Sequence, residues 1–185
     1  FLEAEDFSAA IIFTRTKIAS SELAEKLEAR GHRAAAINGD MVQSAREKVI
    51  ARVKKSSLDI IVATEVAARG LDIDRIGFVI NYDMPFDVES YVHRIGRTGR
   101  AGREGKALVF VTHRERRMLN DIERVTKQKV EEIHPPSLTE LKQKRSQAFK
   151  DKLRGVIANE DLSASRIVLE SAMIDGLDLL DIAAA

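Results

Sequence analysis

Ala9-Ala10-Ile11-Ile12-Phe13 is apolar at every position instead of at alternate ones, and the next residues, Thr14-Arg15-Thr16-Lys17, turn polar at once. A short run of this kind reads as a strand covered on both faces. Outward from it, Thr16 is placed to cap an amphipathic helix through Leu23, Leu27 and Arg30, which Gly31 ends. The alternation then repeats. Ala34-Ala35-Ala36-Ile37 precedes a helix from about Gln43 to Lys54. Ile60-Ile61-Val62-Ala63 and Phe78-Val79-Ile80 follow, the latter before a helix from about Val88, and Ala107-Leu108-Val109-Phe110-Val111 leads into another helix. Apolar strands separated by helices predict a doubly wound parallel sheet in an α/β/α sandwich, with ligands expected beyond the carboxyl ends of the strands.

Composition excludes several classes of function. Hydrophobic residues make up 44% of 185 positions, enough for a real core, yet no apolar run is long enough to span a bilayer. There is no cysteine, hence no disulfide and no thiolate nucleophile, and the four histidines have no ligand spacing, so no metal site is expected. Thirty basic residues against twenty-nine acidic leave a net charge of +1. Any nucleic-acid site must therefore arise from local placement of charge. The abrupt start at Phe1-Leu2-Glu3 suggests a piece of a longer, soluble, cytoplasmic protein.

The loops carry the chemistry. Thr64, Arg69, Gly70 and Asp72 fall within one segment after the third strand. A hydroxyl and a guanidinium can hold phosphate, glycine permits close approach, and a carboxylate can accept from ribose. The same residues could instead form a capped turn. After the second strand, Asn38-Gly39-Asp40 signals a turn, and Gln43 and Arg46 share one helical face. In Tyr91-Val92-His93-Arg94-Ile95-Gly96-Arg97-Thr98-Gly99-Arg100-Ala101-Gly102-Arg103, arginine recurs at every third position between glycines. Four guanidiniums so spaced are hard to explain by packing and point to an anion; the alternative is a solvated basic loop. Arg103 is left without a role.

Taken in order, Phe13-Thr14-Arg15-Thr16-Lys17, Asn38-Gly39-Asp40 with Gln43 and Arg46, residues 63–72, Tyr82-Asp83-Met84-Pro85 and residues 93–100 resemble the second RecA-like domain of DEAD-box ATP-dependent RNA helicases. The resemblance covers about residues 9–126. It departs at Glu65, where the family more often has aspartate. It implies that Arg97 and Arg100 are arginine fingers to the γ-phosphate of ATP, and that Gly70 and Asp72 lie against the nucleotide, Asp72 at its ribose. Thr16, Gly39, Gln43, Arg46, Thr64 and Arg69 would hold the RNA sugar-phosphate backbone without base readout. His93 and Arg94 would couple nucleotide state to RNA and to the other domain. No Gly-x-x-x-x-Gly-Lys-Ser/Thr loop and no Asp-Glu-Ala-Asp segment occurs. The magnesium ion would therefore sit on an absent N-terminal RecA-like domain, and this chain alone is expected not to hydrolyse ATP.

Beyond residue 126, Glu131-Glu132-Ile133 reads as a last short strand and Pro135-Pro136 as a boundary, dividing a RecA-like domain (1–134) from a helical region (135–185). Ser137 is placed to cap a helix carrying Leu138, Leu141, Phe149, Leu153, Val156 and Ile157, and Ser163 a second carrying Ile167, Val168, Ala172 and Met173; a third begins after Gly176. The first is basic and the remainder acidic. About fifty residues cannot bury so many aliphatic side chains alone. Either the RecA-like domain or another chain covers them. Cold-shock DEAD-box helicases of the bacterial DeaD type have a helical dimerisation region here, so the resemblance implies a homodimer through residues 137–185. In isolation the chain would be a non-catalytic RNA-binding and dimerising module.

Overall fold

The computed structural model describes residues 1–3, 5, 7–99, 102–174, 178 and 181. Five strands, β1 (Ala9–Phe13), β2 (Ala34–Ile37), β3 (Ile60–Ala63), β4 (Ile76–Asn81) and β5 (Lys106–Val109), form one parallel sheet in the order β2-β3-β1-β4-β5. The first strand lies in the middle. Ile11 pairs with Ile61 on one side and Val79 on the other, and all three are fully buried. That is why β1 tolerates no polar position: both of its edges are paired and both of its faces are covered. Phe13, Ile37, Val53, Leu58, Leu71 and Ile73 complete the main core.

Helices α1 (Lys17–Glu28), α2 (Gln43–Lys54), α3 (Glu65–Ala68), α4 (Val88–Ile95) and α5 (Arg116–Thr126) alternate with the strands. Helix α1 starts where Thr16 Oγ1 accepts from the Ala19 N–H (3.1 Å). It closes where the His32 N–H reaches back to the Leu27 carbonyl, with Gly31 at φ +85° supplying the left-handed turn. Met84, Tyr91 and Ile122 tie α4 to α5 in a second cluster.

Two expectations change here. Residues 65–68, read as loop, form the one-turn helix α3, because Thr64 caps it. The short strand at 131–133 does not form: Lys127 ends α5 in the left-handed region, and the Val130 N–H donates to the Glu123 carboxylate (2.8 Å).

The chain divides into two units, Asp6–Ile133 and Phe1–Glu5 with His134–Ala185. In the second, α6 (Leu138–Asn159) starts in a capping box, Ser137 and Glu140 each accepting from the other's N–H. Arg145 grips the Glu3 carboxylate through two bonds of 2.7 and 2.9 Å. No residue of α6 is buried, and Leu138, Phe149, Leu153 and Ile157 are exposed, as are Ile167, Val168 and Met173 of α7 (Ser163–Ile174). Ser163, expected to cap α7, is instead its first residue, and the Asp161 carboxylate accepts from both its N–H and its hydroxyl. The third helix, expected after Gly176, falls largely outside the described residues.

Candidate functional site

Parallel strands bring their carboxyl ends to one edge, so the sheet order fixes the order of the loops along it. Gly39, Gln43 and Arg46 follow β2, Thr64 and Arg69 follow β3, and Thr16 follows β1; these three strands are neighbours. Side-chain bonds stitch the row together. Lys17 pairs with Asp40 at 2.6 Å, and Arg46 Nη2 donates to the Arg69 carbonyl at 2.8 Å. Gln43 donates to Glu47. Thr16 and Thr64 each accept a capping bond, from Ala19 and Ala67, and a hydroxyl that accepts still has its own proton to donate. Both readings of Thr64 are thus compatible, since capping leaves the donor. In front of Gly39 and Gly70 a Cβ would meet nothing within 4 Å, and Gly70 stands at φ +75°. Open space there suits a bulky ligand approaching the backbone.

The arginine run serves more than one purpose. Arg94 is 2% exposed, its Nε donating to Glu65 Oε2 at 3.2 Å and its Nη1 to Asn81 Oδ1 at 3.2 Å and the Asp83 carbonyl at 2.9 Å. Its guanidinium lies 5.2 Å from the centre of the Phe13 ring. Burial pulls its pKa below the ordinary arginine value, and Glu65 opposes that shift. Arg103 Nη1 donates to the Asp74 carbonyl at 3.0 Å, and Thr98 Oγ1 to the Ile76 carbonyl at 2.7 Å. The expectation that packing could not account for four such guanidiniums is therefore corrected: Arg94 and Arg103 have internal partners, supplied by segments distant in sequence. Arg103 stays exposed to solvent while tying its loop to residue 74.

Arg97 is placed differently. Its Nη1 donates to the Leu71 carbonyl at 3.1 Å, beside Gly70 and Asp72. With Arg69, His93 and Glu65 it lines a cleft of about 270 Å³, which Phe13 and Ala68 also line. His93 is exposed, 3.8 Å from Glu89. Arg100 lies outside the described residues. Among those described, no group of three or more acidic or imidazole side chains could hold a metal ion, and no helix is long and apolar enough to cross a membrane.

Sequence reasoning missed the support beneath the cleft. Glu65 is the buried cation's carboxylate, and Asn81 is fully buried at the end of β4. Asp83 accepts from Arg94 through its carbonyl and from the Arg15 N–H through its carboxylate (2.7 Å). The one available signal was an asparagine closing the otherwise apolar stretch Phe78-Val79-Ile80-Asn81.

The helicase conserved C-terminal domain matches residues 1–102, and the RNA helicase DeaD dimerization domain matches residues 136–185. The ATP-dependent RNA helicase DeaD of Buchnera aphidicola subsp. Baizongia pistaciae is 53% identical over 187 residues, which cover 100% of this chain and 31% of that protein. The chain thus spans about a third of the length of the curated relatives it matches. A crystal structure of the E. coli DEAD-box protein SrmB bound to regulator of ribonuclease activity A superposes with a TM-score of 0.63 at 38% identity, covering 73% of this chain and 78% of that one. S. cerevisiae Dbp5 bound to RNA and ADP BeF3 gives a TM-score of 0.59 at 36% identity, over 63% of this chain and 32% of that one. The chain therefore belongs to the helicase conserved C-terminal domain family, in its DEAD-box, DeaD-type branch, with a RecA-like fold followed by a dimerisation domain.

Proposed function

We propose that this chain is the C-terminal half of an ATP-dependent RNA helicase. The observation that carries the proposal is the bond from Arg97 to the Leu71 carbonyl, which brings a finger candidate beside Gly70 and Asp72. Asp72 accepts from the ribose of ATP, Gly70 lets the backbone approach the nucleotide, and Arg97 and Arg100 reach the γ-phosphate. Arginine fingers neutralise charge that develops as the phosphoryl group transfers, an effect worth ~10³ to 10⁵ in rate. Magnesium and the phosphate cradle belong to the N-terminal RecA-like domain, the chain's partner across the cleft.

Thr16, Gly39, Gln43, Arg46, Thr64 and Arg69 hold the RNA sugar-phosphate backbone, since their donors follow three adjacent strands and carry no base-reading geometry. The RNA bound to the related S. cerevisiae protein supports this assignment. His93, exposed at the cleft, meets the other domain directly. Arg94 couples by holding α3, which Thr64 and Arg69 flank, against α4, which leads into the finger loop. A domain boundary between residues 134 and 135, one residue from the division after Ile133, separates this half-site from helices that form a homodimer through residues 137–185. There, exposed apolar stripes and the opposite charges of α6 and of the segment after it favour a second copy. A cytoplasmic protein of the cold-shock type completes the proposal. In isolation the chain is an RNA-binding, dimerising module without catalysis.

In the full-length protein, Arg97→Ala should abolish RNA-stimulated ATP hydrolysis while RNA binding at low salt persists; equal loss of both would reassign Arg97 to the RNA backbone. ATP turnover by the 185-residue chain alone, abolished by Arg97→Ala, would overturn the half-site. Sedimentation should show a dimer that becomes a monomer on truncation after Pro136, and a monomer at high concentration before truncation would exclude the dimer.

A further inference from the structure

The first residues of the chain do not group with the strand they lead into. Phe1–Glu5 form one unit with His134–Ala185, whereas the sheet unit starts at Asp6. One pair within that unit joins side chains 142 residues apart: Arg145, in the second turn of α6, donates from Nε to Glu3 Oε2 at 2.7 Å and from Nη2 to Glu3 Oε1 at 2.9 Å. A guanidinium forked on a carboxylate has a fixed geometry that a single surface contact lacks. Leu141 shares a helix face with Lys144 and Arg145, at i+3 and i+4. Leu141 and Lys144 are half-buried on a helix that is otherwise almost wholly exposed, and so are Phe1 and Leu2. The Glu5 N–H donates to the Phe1 carbonyl at 3.0 Å, so the segment is curled into a turn and not drawn out.

This segment enters β1 at its amino end, while the half-site stands at the carboxyl edge of the sheet, one strand length away. The five residues of β1 span about 17 Å. In the helicase proposed above, the N-terminal RecA-like domain is joined through this segment and must reach that edge to close the cleft. Five residues drawn out supply about 17 Å of reach, and a single turn spans about 6 Å. A tether counts only its free residues, so holding these five against α6 costs the other domain roughly two thirds of what they could contribute.

We propose that α6 opposes closure of the two RecA-like domains by clasping the segment that joins them, through Arg145 and Glu3. The inference rests on the half-site reading above and concerns the regulation of that same site. The Arg145 and Glu3 side chains are 67% and 38% exposed. A pair so exposed shifts an equilibrium by a few-fold only, which suits a restraint that closure itself must break. Because α6 lies in the segment matched by the dimerisation domain, docking of a second copy and release of the clasp bear on one helix.

The test uses the full-length protein with one dye on each RecA-like domain. On this chain the dye goes to Lys26→Cys, since Lys26 is exposed and there is no cysteine to compete. Energy transfer reads closure as single-stranded RNA is added at a saturating level of a non-hydrolysable ATP analogue. Arg145→Glu and Glu3→Arg should each lower the RNA concentration for half-closure by about twofold to fivefold. The double variant, with the pair reversed, should return it to the wild-type value. Hydrogen exchange at the Glu5 amide should quicken in each single variant and recover in the double. Closure that is unchanged or harder in the single variants, or that the double variant fails to restore, would overturn the clasp. A wild-type protein that does not close with nucleotide and RNA would instead refute the half-site, and the clasp with it.

Discussion

Removing the guanidinium of Arg94 should be among the most damaging single changes to the sheet unit. Its Nη1 bonds satisfy Asn81 Oδ1 and the Asp83 carbonyl, and Asn81 is fully buried, so Arg94→Ala leaves an orphaned amide oxygen. It also strands Glu65, whose side chain is 28% exposed and so recovers part of its hydration. Breaking a buried pair from one side costs about 3–5 kcal/mol, and the exposure of Glu65 places this case near the lower end, about 3 kcal/mol. Against a typical total of about 5–15 kcal/mol, that is a fifth or more of the stability. Glu65→Gln keeps an acceptor and loses only the charge, so it should cost about 1–2 kcal/mol. Urea unfolding followed by far-ultraviolet circular dichroism measures both, provided the slope is unchanged. Lys17→Ala serves as the control, because the Lys17–Asp40 pair is exposed on both sides and worth at most about 1 kcal/mol. A loss in Arg94→Ala no larger than in the control would show that the buried contacts are idle.

Three further outcomes follow from the same geometry. A Cβ at Gly105 would stand 2.6 Å from the Gly99 amide nitrogen and 2.5 Å from Thr98 Oγ1, so Gly105→Ala should destabilise by about 1–3 kcal/mol and shift the loop after α4. Urea midpoints and amide shifts of residues 96–105 check this. The α4 cap should be sensitive to acid: the Ser90 N–H and hydroxyl hold the Asp87 carboxyl below its usual 3.8. A depressed folded value contributes stability above 3.8 that is lost as pH falls through that lower value. An NMR titration should therefore show Asp87 ionised below pH 3.8 and α4 loosening only beneath that, an effect absent in Asp87→Asn. Finally, Arg46→Ala should lower the salt slope of RNA binding by roughly 0.7 for a single strand, an unchanged slope excluding a phosphate contact.

How much of this was legible in advance depends on the distance over which each feature is decided. The strands at residues 9–13 and 60–63 were readable because burial on both faces admits no polar position, and 34–37, half-buried at Ala35 and Ala36, was readable from its unbroken apolar run. The starts of α1 and α6 were readable because a cap and its acceptor lie within three residues. Residues 65–68 and 131–133 were misread because a single capping bond, or one borrowed N–H, outweighs weak local preference in so short a segment. For the site, the loops that carry it were visible, but their partners were not.

By itself, then, the amino-acid sequence determined an alternating α/β chain, a helical region after the prolines, and the loops on which the candidate site stands. These follow from periodicity and caps, which act within one turn or one strand. Only the tertiary structure decided that β1 lies central, so that the loops after β2, β3 and β1 form one row. Only it separated the arginines, burying Arg94 against Glu65 from 29 residues away and tying Arg103 to the Asp74 carbonyl, while Arg97 was brought to the carbonyl of Leu71 beside Asp72. The physical reason is that a guanidinium has the same chemistry wherever it stands. Whether it meets a carboxylate, a carbonyl or a ligand is set by which distant segments the sheet brings beside it.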